Sequence, residues 1–557
     1  MSGPTGAAAV FPAHLDRWAA ETPDRVWLRD RKGDDVGEWT WARARDEIHA
    51  VAAALEGRYG SGVGMAILSR NRAHWVLADQ AIIASGNVAI PIFTTLPAAT
   101  ARYVLEFSGT RVLFLGEAEN WQAVRAIVPA EVAIVGLPGV EIAAPHLRWD
   151  ELAAEGAGAR PVYACRPTDL VSLVFTSGTT GVPKGVMQTH ESMLIPVARF
   201  TRAFGIRERP RFLSYLPLSH IAERQLVAGA SLATCGDLTF NEALPTLVRD
   251  LQATRPSFFF GPPRVWEQLQ QIVVGHFGSP AAADAALAAD AAGTCARVAG
   301  LLGLDDCDYC LTAAAPTPPA LIEWLERFGI RLYEGFGQTE AMGLTACTAA
   351  ARRVGSIGKP MPDVACRISA EGELLVKTAG LSPGYYRMPE KTAELYRDGW
   401  LHTGDKARVD ADGFIFLTGR VKDYFKTIQG KFVAPVPIES VFAACEHAEQ
   451  VCLLGRGYSK TVMVCVLSAR GRERAREEIA AALRAEVARI NGGVEKHARI
   501  GAVILAAEPW TIENEILTPT LKIRREHVEA RFGAIAERLA RQAAEQGTIL
   551  IEWAEAG

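Results

Sequence analysis

The chain has 557 residues, 49% hydrophobic and 22% charged, and its 59 basic and 63 acidic side chains leave a net charge of −4. That length allows about three to five ordinary domains, or one large composite domain with a smaller one, and the composition excludes a disordered chain, a collagen-like repeat and a disulfide miniprotein. Neither the part up to Arg420 nor the part beyond it is basic enough to grip nucleic acid electrostatically.

Ten cysteines without regular spacing fit a reducing compartment better than a disulfide framework. The close pair Cys307 and Cys310 has no second pair or neighbouring histidines to complete a four-ligand site, so both read as plain thiols. The N-terminus lacks a basic segment followed by an apolar one, and no run reaches 18 apolar residues. The expectation is a soluble cytoplasmic protein. The most apolar window, residues 82–93, is broken by Ser85, Gly86, Asn87 and Pro91 and reads as buried strand and turn.

In chain order, residues 39–59 read as an amphipathic helix, 64–69 as a buried strand, 75–84 as a helix and 112–115 as a strand. This alternation is the pattern of an α/β protein with mainly parallel sheets. The Ala-rich stretch 280–293 reads as a short surface helix or a connecting loop. A second unit begins near Val421, with strands at 450–454, 461–467 and 502–505, a charged helix over 470–490 and a closing helix over 525–542. The expected organisation is a large α/β domain of several subdomains over 1–421 and a small α+β domain over 422–557.

The most informative stretch is residues 173–190, LVFTSGTTGVPKGVMQTH. An apolar strand runs into Thr176, Ser177, Gly178, Thr179, Thr180 and Gly181, then Pro183, Lys184 and Gly185. Glycines let amide groups turn inward, hydroxyls add donors and a lysine adds charge, which is what phosphate oxygens require. A Walker A loop needs its lysine at the start of a helix, whereas here a proline precedes Lys184 and a second strand-like run follows.

TSGTTGVPKG resembles the phosphate-loop signature of the adenylate-forming superfamily, which includes acyl-CoA synthetases, peptide-synthetase adenylation domains and luciferases. The later family motifs follow in order, and the resemblance runs from about residue 30 to 532. RLYEGFGQTE (331–340) is similar to the aromatic-Gly-x-Thr-Glu motif. There Gly335 and Gly337 let backbone approach a flat ligand, Phe336 offers a stacking face to adenine and Gln338 belongs to the nucleotide site. Thr339 can donate to a phosphate oxygen, and Glu340 is a hard ligand suited to Mg²⁺; Thr176 is the second implied metal ligand. WLHTGD puts Asp405 where the family binds ribose hydroxyls, and GRVKD puts Arg420 near ribose and phosphates. Lys422 falls on the hinge about which the small, mobile domain swings. LTPTLKIRR puts the catalytic lysine at Lys522, bridging acyl carboxylate and α-phosphate; the family usually has glycine where this chain has Glu515.

YLPLSHIAER, FFFGPPRVWEQL and IQGKFVAPVPIE look most like bacterial long-chain fatty-acid CoA ligases. His220 falls where an imidazole lies near the substrate carboxylate, although a lone histidine in such a turn is more often structural. Phe258, Phe259, Phe260 and Trp266 could line an acyl tunnel or belong to the core. Ala313, Ala314 and Ala315 fall where the family keeps small residues beside the substrate. Gly430 matches the glycine beside the pantetheine arm of CoA, with Gln429 in place of a second glycine.

The resemblance implies an enzyme that joins a medium or long fatty acid to CoA, using ATP and Mg²⁺ and passing through an acyl-adenylate. It implies no nucleic-acid partner and at most peripheral membrane contact. Two alternatives keep the fold: loading of a carrier protein's phosphopantetheine, and a catalytically silent acyl or nucleotide binder.

Overall fold

The computed structural model describes residues 10–33, 35–140, 146–176, 183–443, 445–512, 514–518 and 522–554. The chain forms two compact units. One comprises the residues up to Cys366 together with Val376–Leu401, the other Arg367–Leu375 together with the residues from His402 onward. Residues 402–421, expected at the end of the large domain, thus group with the smaller unit.

In the larger unit a seven-stranded sheet runs in the order Leu147–Arg148, Ala133–Gly136, Thr110–Leu115, Gly64–Leu68, Val88–Ile92, Leu170–Thr176 and Lys184–Thr189. Every neighbouring pair is parallel except the last. Covered on both faces, its central strands are unbroken apolar runs rather than alternating ones. Helix Ala73–Ala84 is buried on every side, Asp79 and Gln80 included. The helix expected over 75–84 is thus present and starts two residues earlier, and in the overlapping window 82–93 the strand is confined to Val88–Ile92, after the helix end and a turn. The next helix expectation is trimmed, because Thr40 ends the strand Asp35–Thr40 and its side chain caps Trp41–Tyr59 by accepting the Arg43 N–H.

A second sheet sets Phe258–Gly261, Tyr309–Thr312 and Leu332–Gln338 parallel, then turns back through Ala341–Ala346 and Lys359–Pro360. Phe258, Phe259, Phe260 and Trp266 are all buried, and the Trp266 indole donates to the Gly261 carbonyl at 2.8 Å. Phe259 and Trp266 belong to a core cluster that also holds Leu269, Val298 and Leu302, which makes these two rings core. The Ala-rich stretch is two helices rather than one short helix or loop, Pro280–Ala289 and Ala291–Leu302. They are separated at Asp290, whose carboxylate caps the second by accepting the Gly293 N–H. All ten cysteines are free, with the Cys307 and Cys310 sulfurs 3.7 Å apart. Among the described residues no group of three or more His, Cys, Asp or Glu could hold a metal, and no single helix is long and apolar enough to cross a membrane.

In the smaller unit, strands Ala448–Leu454 and Thr461–Leu467 pair antiparallel, followed in parallel by Ile500–Ala506 and Leu550–Trp553. Alternate residues feed two cores: Val451, Leu453, Met463 and Cys465 on one face, Cys452, Leu454, Val462 and Val464 on the other. The charged run 470–490 is two helices, Ala469–Arg472 and Arg476–Gly492. The closing helix extends over Arg525–Gln546 and stops at Gly547, whose φ of +67° lies in the left-handed region. The four-residue strand beyond it carries too little pattern to be read from sequence.

Glu515 has a φ of +60° and its side chain is exposed. A non-glycine residue in the left-handed region costs about 1–2 kcal/mol, partly offset by the greater chain entropy glycine loses on folding. Glu515→Gly is expected to raise the unfolding free energy of this unit by about 0.5–1 kcal/mol in urea denaturation; no gain, or a loss, contradicts the strain argument.

Candidate active site

Strand Leu170–Thr176 carries the apolar half of the phosphate-loop motif, and Lys184–Thr189 pairs back against it so that Thr176 faces Lys184 and Ser172 faces Gln188. Ser177, Gly178, Thr179, Thr180 and Gly181 lie outside the described residues. Lys184 stands on a strand, and the following helix begins only at His190, capped by Thr189, so this is not Walker A geometry.

The other edge of Lys184–Thr189 is held by residues 384–386. The Met187 N–H donates to the Gly384 carbonyl at 2.9 Å, the Tyr386 N–H donates to the Gly185 carbonyl at 2.8 Å, and Val186 bridges to Tyr385. This register brings the Tyr385 ring beneath the Lys184 ammonium, 4.8 Å from Nζ to the ring centre. The Tyr385 hydroxyl donates to Glu340 Oε1 at 2.6 Å.

Thr339 and Glu340 form the turn between Leu332–Gln338 and Ala341–Ala346. Buried Gln188 holds that turn by donating to the Thr339 carbonyl at 2.7 Å, while its own oxygen accepts the Ser192 hydroxyl at 2.7 Å. The Ser382 N–H donates to the Glu340 carbonyl at 2.9 Å. Gly335, Phe336, Gly337 and Gln338 are half-buried, after three buried residues. A Cβ on Gly337 would lie 3.1 Å from the Gly343 nitrogen and the Met342 Cα, a tight contact that favours glycine in this hairpin. Burial pushes the Glu334 carboxyl up to about 7, against the Gly355 N–H that donates to it at 2.8 Å.

His220 caps the short turn Ile221–Glu223, its Nδ1 accepting the Ala222 N–H at 3.2 Å. A neutral imidazole that accepts at Nδ1 carries its proton at Nε2, which makes Nε2 a donor. Beyond it lies a π-helical turn, Arg224–Gly229. Buried Arg224 pairs with buried Asp79 and donates to Ser172 Oγ at 2.6 Å, tying the histidine segment to the phosphate-loop strand. Ala314 adopts a φ of +72° in the exposed turn after Tyr309–Thr312.

In the smaller unit Asp405 and Arg420 are cross-strand partners, with Arg420 Nε 2.8 Å from the buried Asp405 carboxylate. Lys422 is exposed two residues beyond this anchored arginine. Gly430 closes the turn from Thr427 to Lys431 with a φ of +73°; a Cβ there would meet nothing within 4 Å, so backbone conformation is the local reason for glycine. Lys522 has an exposed side chain and directly precedes Ile523, which bridges to Leu517. The Thr518 N–H donates to the Lys522 carbonyl at 2.8 Å, and the Lys522 N–H donates to Thr518 Oγ1 at 3.0 Å. Half-buried Arg525 anchors the far side, donating to the Leu453 carbonyl at 2.6 Å and pairing with Glu439 at 2.8 Å.

The larger unit thus brings Lys184, Thr339 and Glu340 together with Thr176, and the smaller unit joins Asp405 to Arg420. Sequence reading missed Tyr385, Gln188 and the role of Arg224. Gln188 and Arg224 lie inside motifs already singled out, whereas Tyr385 lies outside all of them.

A family model described as AMP-binding enzyme matches residues 15–386, and one described as AMP-binding enzyme C-terminal domain matches 422–543. The chain is 29% identical to the long-chain-fatty-acid CoA ligase FadD15 of Mycobacterium bovis, covering 95% of this chain and 96% of that protein. It is 30% identical to the putative fatty-acid CoA ligase fadD11 of Mycobacterium tuberculosis, over 68% of this chain and 74% of that one. Among solved structures, the anthranilate CoA ligase AuaEII in complex with anthranoyl-AMP superposes with a TM-score of 0.77 at 20% identity, covering 98% and 99% of the two chains. The A domain of a carboxylic acid reductase from Segniliparus rugosus, in complex with AMP and a co-purified carboxylic acid, gives 0.78 at 22%, covering 97% and 95%. At those identities the two structures speak to the fold alone.

One buried acid in this region gives a test of the packing. Glu223 is fully buried: Oε1 accepts the Tyr215 N–H at 3.0 Å, Oε2 has no partner among the described residues, and burial pushes its carboxyl from 4.5 up to about 8. The unfolded chain releases this proton near 4.5 and the folded chain only near 8. Folding stability therefore falls as pH rises through that window, by on the order of a few kcal/mol, and levels off above it. Glu223→Gln is expected to flatten the fall, seen in Tm between pH 4.5 and 8; parallel profiles for the two proteins contradict the buried neutral acid.

Proposed function

The chain belongs to the AMP-binding enzyme family, and from that premise we propose that it is an AMP-forming acid–thiol ligase that activates a medium- or long-chain fatty acid with ATP and transfers it to CoA. The observation that carries the reading is the cluster at the phosphate-loop strand, where the Lys184 ammonium and the Glu340 carboxylate are held on one tyrosine with the Thr339 turn alongside. The relatives' names supply the substrate class.

In the first half-reaction a carboxylate oxygen attacks the α-phosphorus of ATP and pyrophosphate leaves. Both reactants are anions, so the protein's task is to neutralise and align them. Thr176, Ser177, Gly178, Thr179, Thr180, Gly181 and Lys184 receive the leaving pyrophosphate. Gly335, Phe336, Gly337 and Gln338 receive the adenine side, and Asp405 with Arg420 the ribose. His220, a donor at Nε2, orients the acyl carboxylate, and Thr339 with Lys522 binds the α-phosphate. In the second half-reaction the thiol of CoA, passing Gly430, attacks the acyl carbon and AMP leaves, after the small domain has turned about Lys422.

Glu340 and Thr176 are the residues that would hold Mg²⁺. A single carboxylate and a hydroxyl fit an ion that usually takes most of its other ligands from water and phosphate oxygens. Bound there, Mg²⁺ supplies charge neutralisation on the phosphates. The ten free thiols support a reducing, cytoplasmic setting.

A panel of straight-chain acids of rising length, scored by AMP release with CoA present, tests the assignment: turnover is expected to peak among the longer acids, and release that needs no CoA, or a peak at acetate, contradicts it. Lys522→Ala is expected to slow adenylate formation by about 10²–10³-fold while leaving transfer from supplied acyl-adenylate within about twofold; equal loss in both half-reactions contradicts the role given to Lys522.

A further inference from the structure

The Tyr385 hydroxyl lies outside every motif the sequence singles out, yet it reaches the carboxylate that the proposed function needs. Resting on that function, we infer that Tyr385 is a positioning residue: it fixes which oxygen of Glu340 faces the Mg²⁺–phosphate group and holds Lys184 on the same side.

The ring is placed through the bonding of its own backbone segment. Gly384 accepts the Met187 N–H, Val186 bridges to Tyr385, and the Tyr385 N–H donates to Thr392 Oγ1 at 2.9 Å. Glu340 is placed independently, its carbonyl accepting the Ser382 N–H only three residues before Tyr385. Phenol and carboxylate therefore meet with both backbones already fixed, and the hydroxyl makes a 2.6 Å bond to Oε1. A bond of that length from a neutral donor to a carboxylate is charge-assisted and directional. It occupies Oε1, while Oε2 carries no hydrogen bond among the described residues. Tyr385 is only 8% exposed, so the donor side of the bond is shielded from competing water.

The same ring serves Lys184. An ammonium 4.8 Å from the ring centre is attracted by the face of the π-system, and this limits the wandering of a long, flexible side chain. One residue thus restrains both the carboxylate that would hold the cation and the ammonium that would hold the pyrophosphate. Partners of this kind behind a metal ligand typically change metal affinity 10–100-fold when removed.

The experiment compares the full-length wild type with Tyr385→Phe, Tyr385→Leu and Glu340→Gln by calorimetric titration with ATP at graded Mg²⁺, with ATP in EDTA, and with AMP. Tyr385→Phe is expected to raise the Mg²⁺ concentration giving half of the maximal ATP affinity by about 10-fold or more, with AMP affinity unchanged. Tyr385→Leu, which also removes the ring face, is expected to weaken ATP binding in EDTA as well, a loss that Phe does not show. Unchanged Mg²⁺ half-saturation in Tyr385→Phe overturns the inference. Equal weakening of AMP and ATP also overturns it, because that is the mark of a merely structural residue. Glu340→Gln separates the two levels: if it shifts the Mg²⁺ requirement while Tyr385→Phe does not, only the inference falls, and if it shifts nothing, the role of Glu340 falls with it.

Discussion

The register of one short strand governs the candidate site. Lys184–Thr189 is paired to Leu170–Thr176 on one edge and to residues 384–386 on the other. Because side chains alternate along a strand, Lys184, Val186 and Gln188 share a face. Lys184 reaches the Tyr385 ring, Val186 is buried, and Gln188 holds the Thr339 turn. A slip by one residue would turn all three to the opposite face and disconnect the lysine from the glutamate. The register is made costly to slip by Ser172, opposite Gln188, which is bonded to the Ala89 carbonyl and to the buried Arg224.

The reaction explains why such restraint is needed. A carboxylate attacking a triphosphate gathers negative charge, and a cation that must first be ordered loses much of what it contributes. Lys184 has its order imposed by a ring and a strand. Lys522 has an exposed side chain, but its backbone is bonded to Thr518 and followed by the anchored guanidinium of Arg525. At Lys522 an anchored backbone carries an exposed, long side chain, which suits a group that must reach an oxyanion.

Much of this was legible in the sequence because the chemistry is concentrated in contiguous strings. TSGTTGVPKG, FGQTE, TGD and the final lysine each carry unusual residues in fixed order, and the strand after Lys184 was readable from proline and the apolar run. Tyr385 was not legible, because its partner Glu340 is 45 residues away and only the folded sheet brings them together. The end of helix Ala73–Ala84 and the strand Val88–Ile92 ran together as one apolar window in the sequence because both are covered on all sides. Gly430 and Glu515 show the converse: both take positive φ, so the first is explained by its turn and the second marks a turn made with an unsuited residue.

A chain that joins a fatty carboxylate to AMP before any thiol is involved must run its first half-reaction backwards without CoA. The decisive measurement is carboxylate-dependent exchange of labelled pyrophosphate into ATP, with Mg²⁺ and without CoA. Exchange is expected to appear on adding a long-chain acid and to be lost in Glu340→Gln. No exchange with any acid in an enzyme that still binds ATP, or exchange that needs no acid, would contradict it.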